Sequence, residues 1–248
     1  MRHMLRLTML ILALFLLPAI ATAGWWVLKE RPGSWRDADW SSSGVLPSPT
    51  ADADAAIYLM AARTGGLKGA FSVHSWLVFK RKDATAYDRY EKVGWGMPVR
   101  HNDRPADGRW YSNEPVVLHS ASGPQAERLI PLFEAAIGRY PYSKRGDYHI
   151  WPGPNSNSFV AYLMRAVPEF GGRLPGNAVG RDFAPGLFDY ASGPGAHEFR
   201  ATLGGLAGFA VGPGARLELQ LGGLVAGIDL ERPALIVPAY GRVTLFDG

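Results

Sequence analysis

Three residues far apart in the chain have side chains able to do chemistry together. His74 stands inside the apolar stretch AFSVHSWLVFKR, residues 70–81. Ser156 stands in YHIWPGPNSNSF, residues 148–159, and Glu91 in YDRYEKVGW, residues 87–95. A serine hydroxyl becomes a nucleophile when a neighbouring base takes its proton and a third group orients that base. The expected roles are Ser156 as nucleophile, His74 as base and Glu91 as the orienting carboxylate. His149, seven residues before Ser156, is a rival base. Backbone N–H groups at a helix start would stabilise an oxyanion. Each residue also has a plainer role. A serine before a helix is often a cap, and a histidine in an apolar strand is often a core residue bonded to a carbonyl.

The loop and helix around Ser156 organise the surrounding chain. Trp151, Pro152, Gly153 and Pro154 cannot continue a helix, because proline fixes φ and restricts the residue before it. Asn155, Ser156, Asn157 and Ser158 then offer side chains that accept from free N–H groups at a helix start. Phe159, Tyr162, Leu163 and Ala166 follow at helical spacing, and Pro168 with Gly171 and Gly172 ends the run. Residues 55–63 and 70–81 read as strands. In the second, Phe71, Val73, Ser75, Leu77 and Phe79 share one face, and Ser72, His74, Trp76, Val78 and Lys80 share the other. Residues 87–95 and 116–118 read as a third and fourth strand, and four in succession suggest an antiparallel meander. Residues 123–139 read as a helix that Ser122 can cap, with Pro124 in its first turn and Pro131 inside. Trp76 and Trp151 are the expected aromatic walls of a cleft. Asn155, Asn157 and His149 are its expected polar binding groups.

Composition narrows the function classes. The chain has 248 residues, 47% hydrophobic, with a net charge of +4. No basic run is longer than Lys80, Arg81 and Lys82, so nucleic acid is not an expected partner. There is no cysteine, which excludes disulfides, thiolate catalysis and cysteine-bound zinc. The six histidines never fall at close ligand spacing, and no metal or cofactor is expected. Phosphate-loop, dinucleotide and hydrolase-elbow motifs are missing from the sequence. At the front, Arg2 and Arg6 precede an uncharged run over residues 7–28, with Ala21, Thr22 and Ala23 as a small-residue cleavage pattern. That run is long enough to span a bilayer, so it is a cleaved secretory peptide or a retained anchor. Residues 29–50 are a linker rich in Ser, Pro and Trp, which carries Trp35 and Trp40. From residue 171 glycine becomes frequent. Residues 199–211, 215–221, 224–230, 234–237 and 242–246 read as short strands packed on the main domain. This part is apolar, and lying against the membrane surface is the alternative.

The block VHSWLVFK, with YDRYEKVGWG, DGRWYSNEP, the PQAERLI helix and YHIWPGPNSNSF, resembles a bacterial family known as domain of unknown function 3750. The resemblance runs from the linker to the last strands and implies no established activity. More remotely, the layout is similar to circularly permuted papain-like proteins, the lecithin:retinol acyltransferase and PPPDE groups. Those carry a histidine on an early strand, as in Val73, His74, Ser75 and Trp76 here. Their nucleophile sits in an Asn-Cys helix start, and Asn155 to Phe159 fit that frame with Ser156 in the cysteine position. The resemblance implies an α+β, permuted papain-like core, an antiparallel sheet with two flanking helices. A glycine-rich β-extension and an N-terminal signal or transmembrane helix complete the chain. The expected division is residues 1–28, 29–50, 51–170 and 171–248. Two functions follow: a catalytically silent module binding an envelope peptide, lipid or partner, or a serine-dependent amide or ester hydrolase or acyltransferase. The expected location is the cytoplasmic membrane, with the folded part in the periplasm.

Overall fold

The alternation along residues 70–81 sorts two hydrophobic layers onto opposite sides of a sheet. A computed structural model describes residues 2–184, 186, 188–191, 199–212 and 215–246. After the N-terminal helix α1 (Arg2–Val27) come β1 (Ala56–Arg63), β2 (Val73–Lys80), β3 (Asp88–Lys92), β4 (Val99–His101) and β5 (Val116–Ser122). They pair antiparallel in the order β4-β3-β2-β1-β5. The central β1 and β2 are covered on both faces, which is why they read as nearly continuous apolar runs. The succession of strands is therefore not the simple meander expected. β5 returns past three strands to pair with β1, and so satisfies an edge whose free N–H and C=O groups would otherwise lie beside the core. The three-residue β4 was not anticipated and closes the other side.

Two helices cover one face. α2 (Gly123–Gly138) and α3 (Ser156–Ala166) pack with Leu77 and Phe79 of β2, and Leu129, Phe133, Phe159 and Leu163 join the same buried cluster. Ser122 is the N-cap of α2, yet its side chain makes no cap hydrogen bond. α3 is capped reciprocally. The Asn155 side chain accepts from the Ser158 N–H, and the Ser158 hydroxyl accepts from the Asn155 N–H. The opposite face buries Met60, Trp76 and Val78 under Leu46 and Trp110. Trp40 of the linker meets Trp110 edge-on at 5.1 Å, so this stretch is part of the second layer.

The C-terminal part is a seven-stranded antiparallel meander: β6 (Phe188–Ala191), β7 (Phe199–Leu203), β8 (Ala207–Gly212), β9 (Arg216–Leu221), β10 (Leu224–Asp229), β11 (Ala234–Val237) and β12 (Gly241–Thr244). The single strand expected over residues 199–211 is a hairpin. Gly204 and Gly205, both at positive φ, turn the chain and split β7 from β8. The meander rests on the rest of the chain: Arg63 donates to the Tyr240 carbonyl at 2.7 Å, and so does the Asn177 amide at 3.0 Å.

α1 is mostly exposed and has 26 residues, about 39 Å at 1.5 Å per residue, with a mean hydropathy of 2.3 over its most apolar stretch. It is long and apolar enough to cross a membrane. Its last turn is fastened to the protein. Trp26 is buried, and its indole N–H donates to the Gly66 carbonyl at 2.9 Å.

Candidate functional site

β2 and β3 build a buried polar cluster out of ordinary strand parity. Trp76 lies opposite Glu91 and Val78 opposite Arg89, so Arg89 and Glu91 share the face of His74 and Trp76. His74 Nε2 lies 2.7 Å from Glu91 Oε2, and Arg89 donates to the same oxygen at 3.0 Å. Arg89 also donates to the Pro105 carbonyl at 2.8 Å. The imidazole lies flat against Trp110, with ring centroids 3.6 Å apart and an interplanar angle of 5°. Trp76 stands beside it at 5.8 Å, its own indole N–H bonded to the Ala106 carbonyl.

Burial and charge decide protonation here. Burial alone would raise the Glu91 pKa, but the hydrogen bond from His74 and the charge of Arg89 outweigh it and hold the carboxyl at about 2. His74 is pushed below its ordinary value, chiefly by burial, with Arg89 and Arg104 adding to the effect. The pair at neutral pH is therefore a carboxylate and a neutral imidazole whose Nε2–H points at Glu91. The other ring nitrogen is then the acceptor, the arrangement of an oriented base. Two buried donors adjoin the pair. Among the described residues, Arg89 Nε and Trp110 Nε1 have no hydrogen-bond partner. The Arg89 guanidinium lies 6.0 Å from the Trp110 ring centre.

Ser156 belongs to the other side of the sheet. Ser75, the neighbour of His74 and of opposite parity, donates to the Asn157 side chain at 2.8 Å, and Asn157 donates to the Val73 carbonyl at 2.9 Å. The start of α3 is thus tied to the face that His74 turns away from. Ser156 is buried in the first turn of α3, beside Tyr148. Among the described residues no hydrogen bond joins His74 to Ser156. The pairing expected of them is not formed, because consecutive residues of a strand point to opposite faces.

The expected binding residues are dispersed in the same way. Trp76 is fully buried, whereas Trp151 is half exposed and lies over the Gly223 turn of the second sheet. These two do not wall a common cleft. Asn155 and Asn157 spend their amides on the Ile150, Val73 and Val179 carbonyls. His149 is exposed. The sequence reading joined Glu91 to His74 but missed Arg89, Trp110 and Arg104. Arg89 had a usable signal, since it stands two residues from Glu91 on a strand and must share its face. Trp110 had none, because a loop residue reaches the sheet only through tertiary packing. Beside this cluster Tyr87, Asn102, Asp103, Arg104, Pro105 and Ala106 line an open cleft, and the Arg104 guanidinium lies 3.6 Å over the Trp40 ring. No group of three or more metal-ligating side chains occurs among the described residues.

A family model described as Protein of unknown function (DUF3750) matches residues 54–183. The match covers the first sheet with α2 and α3 and stops before the seven-stranded meander, short of the extent the motifs implied. No curated protein and no solved structure matches the chain.

Proposed function

The chain belongs to the DUF3750 family, and we propose that it is a membrane-tethered, catalytically silent module that binds a carboxylate-bearing envelope peptide. The folded part faces the periplasm, and α1 is the tether. One observation carries the binding reading. Among the described residues Arg89 Nε and Trp110 Nε1 are buried donors without an acceptor, Arg89 bonded to Glu91 and Trp110 stacked on His74. An unmade buried hydrogen bond costs roughly 1–3 kcal/mol, a cost that an arriving acceptor group would relieve. Arg104 at the adjoining cleft supplies a cation for an anionic ligand, stacked on Trp40. In this reading Glu91 holds the imidazole flat under Trp110, and the pair fixes the platform.

The second reading is a serine-dependent hydrolase or acyltransferase using Ser156 and His74, which requires Ser156 to leave the face of the sheet opposite His74. What favours it is the 2.7 Å bond between His74 and Glu91, the base-and-orienter half of a catalytic triad. One experiment separates the two. The purified chain is exposed to a fluorophosphonate probe and, in parallel, sedimented with insoluble cell-wall sacculi. The expected result is no labelling of wild type or Ser156→Ala. Sedimentation should occur with wild type and fall several-fold in Arg104→Ala. Labelling that disappears in Ser156→Ala and in His74→Gln overturns the silent module in favour of the hydrolase. Failure to sediment overturns the proposed ligand.

A further inference from the structure

Strands β7 to β10 of the second sheet keep their charged side chains on the inner face and present an apolar outer face. β9 has the pattern plainly: Arg216, Glu218 and Gln220 are buried, and Leu217, Leu219 and Leu221 are exposed. Register extends the apolar face sideways. Leu219 lies between Phe209 and Ala226, and Leu217 lies between Val211 and Ile228. Beneath, Glu218 is held between Arg181 and Arg216, and Arg200 donates to Asp182 at 3.3 Å. Every charged residue of β7, β8, β9 and β10 whose burial is described (Arg200, Arg216, Glu218 and Asp229) is turned inward. Nothing charged alternates onto the outer side of those four strands.

We infer that this outer face is seated in the lipid bilayer beside α1, so that the protein enters the membrane by a helix and a sheet together. The inference rests on the tethered reading of α1. Three observations point to lipid as the occupant. First, α1 packs against β10, and Ala226 on the outer face of β10 is buried although its neighbour Leu219 is 46% exposed. The apolar helix and the apolar sheet face are thus contiguous. Second, Phe15, Ala19, Thr22 and Trp26 form a buried stripe along one side of α1. From Phe15 to Trp26 is about 17 Å of helix, more than half of the roughly 30 Å hydrocarbon thickness. If α1 spans, the protein surface beside it lies at lipid depth. Third, the outer side is chemically uniform. Protein interfaces are ringed by polar groups and enriched in arginine, whereas acyl chains require neither.

The strands of this sheet are four to six residues long. A transmembrane barrel strand needs about 9–11, so the sheet rests within one leaflet and does not cross. The central strands β8, β9 and β10 pair on both sides, so their backbone groups are satisfied along the ladders, which lipid burial demands. Trp25 and Tyr240, both partly exposed and 6.3 Å apart, lie at the junction and mark the headgroup level.

The chain has no cysteine, so single-site labels are clean. The full chain is reconstituted at one copy per nanodisc, with bimane on Leu219→Cys, Leu10→Cys or Ser120→Cys. Brominated phospholipid and aqueous iodide serve as quenchers. Labels at Leu219 and Leu10 should be quenched by the brominated lipid and shielded from iodide several-fold relative to Ser120, an exposed site on β5. Iodide quenching at Leu219 with lipid quenching retained at Leu10 overturns the sheet docking and leaves the tether intact. A Leu219 label shielded from both quenchers also overturns it, because protein would then cover the face. Iodide quenching at Leu10 overturns the tether itself.

Discussion

The two antiparallel sheets use the same period-two alternation with opposite burial. In the five-stranded sheet Leu77 and Phe79 go under the helices, and the far side admits charges that are bonded, the set of His74, Arg89 and Glu91 and the Lys80 ammonium on the Asp52 and Asp54 carbonyls. In the seven-stranded sheet the polar members of β9 go inward and its leucines go outward. A strand sets which residues share a face. Which face is buried depends on what is packed against it. For β2 that is α3, tied down by the bond between Ser75 and Asn157. For β9 it is Arg181, which needs the Glu218 carboxylate as its partner.

The largest effect should come from removing the carboxylate that lets the first sheet bury charge. Glu91→Ala leaves Arg89 buried without its anion, and breaking a buried pair costs roughly 3–5 kcal/mol. Denaturation of the detergent-solubilised chain would measure it. Acid titration sharpens the point. The Glu91 carboxyl is held at about 2 when folded, below its unfolded value, so its stabilisation is present above the unfolded pKa. It is lost as pH falls towards 2, and from the depression alone is on the order of 3 kcal/mol. His74, with its folded pKa lowered, adds a loss of the same sign that begins as pH falls through the unfolded histidine value. Stability should therefore decline on acidification, and in Glu91→Ala the steep part at the acid end should be missing. An unchanged acid limb would mean that Glu91 is not the group that titrates.

A leucine-to-alanine pair tests the inversion directly. Leu77→Ala, in the fully buried layer, should cost about 2–5 kcal/mol through lost burial and a residual cavity. The same change at Leu219, 46% exposed, should stay within about 0.5 kcal/mol for the chain in mild detergent. Comparable losses at the two sites would show that the outer face of the second sheet is a packed core, and the contrast between the sheets would collapse.

Much of the architecture was legible in local pattern. Strand parity along residues 73–80, the α2 and α3 spans, and a first helix long enough for a membrane all follow from spacing and end signals. The Asn155 cap was readable because its partner Ser158 is three residues away. Glu91 as the partner of His74 was also within reach, since adjacent strands bring such residues together. Long-range matters were not legible. Nothing near residue 110 says that Trp110 will lie on the His74 ring. The return of β5 to β1 is a choice among edges that local sequence does not rank.

The amino-acid sequence by itself determined which side chains travel together: His74 with Trp76, Ser75 with Leu77, Leu217 with Leu219, Arg216 with Glu218. The backbone period enforces those groupings wherever the strand lies. Only the tertiary structure decided which group meets which surface. It set α3 against Ser75 and so parted Ser156 from His74, and it brought Arg181 to Glu218 and so turned the leucines of β9 outward. The physical reason is that burial is a property of two packed surfaces, and a strand carries only one of them.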